Sequence, residues 1–406
     1  MRRVVIKGVG VWSPLGSTWP ATTAALARGA TAVAPVTAWD ATGFPCRVAA
    51  GIAIDGAHED RRRPLAHAAA REAWTAAGFE DGCGGARIGV FIGAESGRAS
   101  FRTVLELARA AGGGATFDAA AFAVRAREFA SRVDAAVISP AAIASGLATM
   151  VNATGPVTTV SLACASGAAA VIEAVRAIRA GACDVALAGG VGADVEPLML
   201  AGFGLLGALS GAGESCPFDR RRDGFVVGEG AAMLALAASD VRGGAAPRCE
   251  IAGVGRSLDG YRLTAPEPEG DGAARAIAAA MADAGEIAID CVQAHGTSTP
   301  LNDPAEITAL RRALGDGFAR AHVTAVKGAV GHWIAGAGAI GVACAVDAIE
   351  RGRVFPTAGL RAVDASCAAN HVIGETIAID VRTALVNAFA FGGANASLVL
   401  RRWESA

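Results

Sequence analysis

The chain has 406 residues, 53% of them hydrophobic and 18% charged, with a formal net charge of −2. That length predicts two units of about 200 residues around a large buried core, and the near-neutral balance gives no reason to expect a nucleic-acid partner. Nine cysteines without a Cys-x-x-Cys pair support neither a zinc site nor a disulfide framework, no apolar run reaches the roughly 20 residues of a membrane span, and the apolar part of the N-terminus is too short for a signal peptide, so a cytoplasmic protein with free thiols is expected.

In chain order, the segment from Arg3 to Gly10 reads as a strand. Arg87 to Ile92 is strand-like, Ala165 to Ala180 is helical and stops at Gly181, and Asp184 to Ala188 is strand-like again. Gly224 to Leu236 reads as a pair of strands around a glycine turn. The polar connector Ser239 to Pro247 follows, and then Ile251-Ala252-Gly253-Val254-Gly255 repeats the Ile-x-Gly-Val-Gly of Ile6 to Gly10. The connector and the repeat divide the chain into halves, 1–247 and 248–406. In the second half, Gly272 to Ala284 is helical, Ile289 to Ala294 strand-like and Pro304 to Leu314 helical. This alternation predicts an α/β protein with buried, largely parallel sheets.

Cys164 stands where an apolar strand gives way to a helix, in Leu162-Ala163-Cys164-Ala165-Ser166-Gly167. Unpaired N–H groups and the partial positive charge of a helix N-terminus favour a thiolate and supply oxyanion donors. Cys183, Cys249, Cys291 and Cys344 read as buried small hydrophobes instead. His295 and His332 each read either as a satisfied core histidine or, since both sit in glycine-rich turns at the ends of strand-like segments, as one of two neutral imidazoles suited to stabilising an enolate. Neither has the i, i+4 partner of a helical metal site. Of 36 cationic residues only Lys7 and Lys327 are lysines. The small apolar neighbours of Lys327 predict its burial, which calls for a carboxylate, and Glu306 is the nearest candidate. Asp303 reads mostly as a helix N-cap. Gly336-x-Gly338-x-x-Gly341 matches a dinucleotide fingerprint in letters only, because it lies inside a helical stretch, where close helix packing explains it better. Asn387 to Asn395 is a strand breaking into a double-glycine turn, with Phe391 either a fixed core residue or a movable pocket wall.

Five segments in order resemble the β-ketoacyl-[acyl-carrier-protein] synthases of the thiolase superfamily, KAS II type: Ala163 to Gly167, Pro217 to Gly230, His295 to Pro300, Lys327 to His332 and Phe389 to Asn395. The resemblance implies a thiolase-like fold, with duplicated βαβαβαββ halves in a five-layer αβαβα sandwich, as a homodimer or paired with a ketosynthase-like paralogue. It implies that Cys164 takes the acyl chain from acyl carrier protein and that His295 and His332 serve malonyl decarboxylation. Lys327, held by Glu306, would orient the histidines, and the N–H groups of Cys164 and Phe391 would form the oxyanion hole. Thr297, Thr299, Phe203, Phe391 and Gly392 would contact substrate or pantetheine. Neither an organic cofactor nor a metal is implied.

The departures are Ala394 for a threonine, Gly328 for a serine, Trp333 after the second histidine, Asn302 before Asp303, and Gly93 to Gly97 in place of Gly-Thr-Gly-x-Gly-Gly. They keep a specialised polyketide or aryl-polyene pathway open beside fatty acid synthesis. A non-catalytic chain-length-factor subunit would lack Cys164, and a degradative thiolase would carry a second cysteine near Gly392 and Gly393. The basic run Arg61-Arg62-Arg63 reads equally as a solvated helix start and as a docking patch for an acidic carrier protein.

Overall fold

A computed structural model of the chain describes residues 2–54, 60–79, 83–97, 99, 101–130 and 138–404. The first half contributes β1 (Val4–Trp12), helix α1 (Arg62–Ala76), β2 (Ile88–Gly93), α2 (Ala141–Met150), β3 (Val157–Val160), α3 (Ser166–Arg179), β4 (Val185–Ala193) and β5 (Glu229–Ala238). The second contributes β6 (Cys249–Leu258), α4 (Asp271–Ala284), β7 (Cys291–Gln293), α5 (Asn302–Leu314), β8 (His322–Thr324), α6 (Ala337–Arg351), β9 (Asn370–His371), β10 (Thr383–Phe389) and β11 (Ala394–Arg402).

The strand order is β9-β8-β7-β10-β11-β6-β1-β5-β4-β2-β3. Five strands on either side of the β6–β1 junction repeat one topology: β3-β2-β4-β5-β1 mirrors β8-β7-β10-β11-β6. The junction itself is short, pairing Val4 with Ile251, Val5 with Glu250 and Ile6 with Cys249. The sheets are mixed rather than largely parallel. β2 runs parallel to β3 and β4, but β5 and β1 join antiparallel. The reason is plain in the second half, where β10 turns directly into β11 through Phe391–Gly393 with no crossover helix.

Three cores separate the layers. One lies between α1, α2 and the outer face of the first half's strands, and one between α4, α5 and the outer face of the second half's. The largest surrounds α3 and α6, which pack together between the inner faces. Helices and sheets therefore alternate in five layers, α-β-α-β-α. The repeated glycines share a cause: a Cβ on Gly8 or Gly10 would lie 1.9 or 2.0 Å from carbonyls of α1, and one on Gly253 or Gly255 2.1 Å from carbonyls of α4. A Cβ on Gly338 would lie 2.8 Å from Ala168, so the dinucleotide-like run serves the contact between α6 and α3. Among the described residues no helix is long and apolar enough to cross a membrane.

Gly224 to Leu236 is not a strand pair. β5 is continuous from Glu229, and the residues before it make single bridges, Phe225 to Leu209, Val227 to His332 and Gly228 to Ala50. That segment is used to hold the turn at His332.

Candidate active site

β3 leads into Ala163, whose φ of +45° is left-handed, and a single 3₁₀ turn, Ala163–Ala165, opens α3. A non-glycine residue there is strained, and the sharp turn it makes lifts the next side chain out of the helix. That side chain is Cys164, 9% exposed, on the wall of a cavity of about 440 Å³. Behind it the wall is apolar, with Leu200, Leu209, Phe225, Val227 and Ile334.

Cys164 is not the thiolate that its helix position suggests. Burial pushes the thiol up to about 12, against the pull of Lys327, while Asp194 and Glu95 add to the rise and the N–H of Phe391 directed at the sulfur lowers it. Desolvation outweighs one helix end.

His295 follows β7 and His332 follows the short helix Lys327–Val330; their rings meet edge to face at 5.6 Å between centroids and both line the cavity. The backbone of His332 is pinned on both sides, donating to Val226 O at 2.8 Å and accepting from Gly228 N at 2.9 Å. The Trp333 side chain fills the space left by Gly230, where a Cβ would lie 2.7 Å from the indole. Its Nε1 donates to Val330 O at 2.9 Å. The bulky residue after the histidine is thus core.

The ring nitrogens are assigned by their partners. His332 Nδ1 accepts from Ile334 N at 3.1 Å, so in the neutral ring Nε2 carries the proton. His295 Nδ1 lies 3.3 Å from Lys327 Nζ, an ammonium donor, which leaves Nε2 protonated there too. Burial, and then the charge of Lys327, hold both rings well below the usual histidine range, so both are neutral.

Lys327 and Glu306 do not pair directly. Among the described residues Lys327 forms no ion pair with Glu306; the two grip the same peptide from opposite sides. Lys327 donates to the carbonyl of His295, while Glu306 accepts from His295 N and Gly296 N, each at 2.8 Å. Burial lowers Lys327 to about 8 and raises Glu306 to about 7. Asp303 is not the N-cap of α5 but lies within its first turn, accepting from Phe218 N and Thr297 N at 2.8 and 3.0 Å. Thr297 and Thr299 share a 2.9 Å hydrogen bond on the cavity wall, and Phe203 and Phe391 line it as well. Gly392 does not line it. Its φ of +83° turns the chain so that its N–H donates to Leu263 O at 2.7 Å.

The fold agrees with that of known proteins. The model of the beta-ketoacyl synthase N-terminal domain matches residues 1–240, and that of the C-terminal domain matches residues 248–361. The chain belongs to the β-ketoacyl synthase family. It is 35% identical to the actinorhodin polyketide beta-ketoacyl synthase 1 of Streptomyces coelicolor, over 100% of this chain and 90% of that one. It is 33% identical to 3-oxoacyl-[acyl-carrier-protein] synthase 2 of Coxiella burnetii, over 99% of each. The solved ishigamide ketosynthase/chain length factor superposes with a TM-score of 0.85 at 32% identity, covering 99% of this chain and 100% of that one. Like its relatives, this β-ketoacyl synthase is an acyl-transferring enzyme that forms carbon–carbon bonds.

Two supporting residues had no role in the sequence reading. Asn387 donates to Glu306 at 3.2 Å and is itself held by Ser397. Glu95, within the departing Gly93 to Gly97 segment, accepts from Ala163 N at 2.9 Å and from the hydroxyl of Ser161 at 2.8 Å. The departure was visible in the letters; the contact was not, because 68 residues separate the partners. The Arg61 to Arg63 run is no continuous docking patch. Arg61 pairs with Glu229 at 2.5 Å and the buried Arg62 with Asp60 at 2.8 Å, leaving Arg63 exposed.

Proposed function

We propose that the chain is an active 3-oxoacyl-[acyl-carrier-protein] synthase in which Cys164 accepts the acyl group and the two histidines serve the malonyl half-reaction. One observation carries this: both rings have Nδ1 occupied by a donor, so both offer Nε2–H to the cavity that holds Cys164. Two hydrogen-bond donors beside a nucleophile suit a reaction that builds negative charge on a thioester oxygen.

In the first half-reaction Cys164 Sγ attacks the acyl thioester, and the proton of its thiol leaves on the departing pantetheine sulfur. The N–H groups of Cys164 and Phe391 receive the oxyanion. Malonyl thioester then enters past Thr297 and Thr299 and loses carbon dioxide. The enolate oxygen accepts from His295 and His332, and its carbon attacks the acyl-Cys164 carbonyl. Collapse releases the 3-oxoacyl thioester and a Cys164 sulfur that regains a proton. In these tautomers neither histidine is a base. The partner is an acyl carrier protein, and the apolar wall behind Cys164 suits an alkyl or polyene chain. A dimer belongs to the same reading, because β3 ends the sheet with one ladder edge unpaired among the described residues.

A second reading places the reaction in a specialised polyketide or aryl-polyene pathway with a chain-length-factor-like partner. The likeness to the actinorhodin and ishigamide ketosynthases favours it. Intact-protein mass spectrometry after incubation with acyl carrier proteins bearing saturated, β-oxidised and polyene chains tests both. Saturated adducts alone support fatty acid synthesis, and no adduct with any chain sinks the proposal.

A further inference from the structure

The strained turn before Cys164 needs an acceptor for the N–H of Ala163, which points away from the helix. Glu95 supplies it with Oε1 at 2.9 Å, and the same oxygen lies 3.1 Å from Ser166 Oγ. Oε2 accepts from Ser161 Oγ at 2.8 Å. Ser166 in turn accepts from Leu162 N at 2.8 Å and donates to Ala163 O at 2.6 Å. One carboxylate therefore ties residues on both sides of Cys164. Glu95 is itself anchored through its carbonyl, which accepts from the buried Arg62 guanidinium. The turn at His332 offers an independent parallel. Ile334 also has φ +45°, and its N–H too is received by a side chain of the site, Nδ1 of His332.

We propose that Glu95 is a positioning residue for the reaction at Cys164, its carboxylate clamping the left-handed turn in the shape that presents the sulfur to the cavity. The clamp also places a negative charge near the thiol, opposing its ionisation. Cys164 otherwise faces Lys327 and Asp194, with the neutral His295 and His332 on the cavity wall. The assignment rests on Cys164 being the acyl acceptor.

The test compares the full-length wild type with Glu95→Gln, which keeps one acceptor oxygen for the Ala163 N–H, turns the other into an amide donor that the Ser161 hydroxyl can accept from, and loses the charge, and with Glu95→Ala, which loses the side-chain contacts altogether. Two quantities are read by mass spectrometry: acyl loading of Cys164 from hexanoyl acyl carrier protein, and alkylation of Cys164 by iodoacetamide across pH 6 to 10. Loading should fall at least about tenfold in Glu95→Ala through misplacement of the sulfur, and Gln should recover most of it. In Glu95→Gln the alkylation curve should move to lower pH by at least about half a unit. Should Glu95→Ala lose its cooperative thermal transition, Glu95→Asp replaces it, withdrawing the carboxylate while keeping its charge. Loading within twofold of wild type in the clamp-less variant overturns the proposal, as does an unmoved alkylation curve in Glu95→Gln. A wild type that alkylates but never loads would instead sink the functional reading, while the alkylation arm still reports on Glu95.

Discussion

Two turns of this molecule are built alike and do different work. One, at Ala163, opens α3; the other, at Ile334, opens α6. Both carry a non-glycine residue at φ +45°, both begin with one 3₁₀ turn, and both lead into helices of the middle layer. In each the N–H of the strained residue is received by a side chain. The residue that follows is Cys164 in the first and a buried Ala335 in the second. The backbone device is thus separable from the chemistry. At the first turn it presents a thiol; at the second it orients a histidine by occupying Nδ1.

The comparison breaks most sharply at Cys164. Because Ala335 occupies the matching place without disturbing its turn, Cys164→Ala should fold with an unchanged melting temperature and lose acyl loading completely. An acyl adduct on that variant, seen by mass spectrometry, would remove Cys164 from the mechanism. The next effect belongs to the second turn. His332→Ala and His295→Ala should each cost condensation roughly a hundredfold, through loss of one donor to the enolate, while sparing loading. Separate assays of the half-reactions decide this, and equal losses in both would mean that the histidines act on the thiol.

A smaller effect follows from Lys327, whose ammonium faces His295 Nδ1. The charged form prevails below about 8, so malonyl decarboxylation should fall as pH rises through that value, and Lys327→Met should remove the alkaline limb. The stability effect has the opposite sign. Between about 8 and the ordinary lysine value of 10.5 the unfolded chain binds the proton that the folded chain has released. The contribution of Lys327 to stability therefore rises with pH across that window, and below it the full cost of burying the charge applies. Denaturant titrations at pH 7 and 10 on wild type and Lys327→Met measure the difference. The smallest effect concerns Phe391, half-buried between Ala390 and Gly392 with its N–H on the Cys164 sulfur. If the ring closes the malonyl side until Cys164 is acylated, Phe391→Ala should raise carbon dioxide release from malonyl carrier protein alone by a few-fold. Unchanged release with normal condensation would make the ring simple packing.

Local chemistry was legible in the letters wherever a residue type and its immediate neighbours sufficed. Cys164 at a strand-to-helix junction, His295 and His332 in glycine turns, the helices after them and the repeated Ile-x-Gly-Val-Gly could all be read along the chain. The backbone periodicities and steric needs behind them span only a few residues. The reading failed where a side chain chooses among partners distant in sequence. Lys327 and Glu306 looked like an ion pair, yet each found the peptide of His295 instead. Arg61 and Arg62 looked like surface charge, yet each found a carboxylate.

The sequence by itself determined the α/β class and pointed to Cys164, His295 and His332 as candidate site residues, because these follow from local pattern. Only the tertiary structure decided the protonation of the site and the clamp upon it. Burial, which depends on every layer at once, holds Cys164 as a thiol and both rings neutral. The meeting of Glu95 with Ala163 depends on β2 lying beside β3 in the sheet, a neighbourhood that no stretch of the chain spells out.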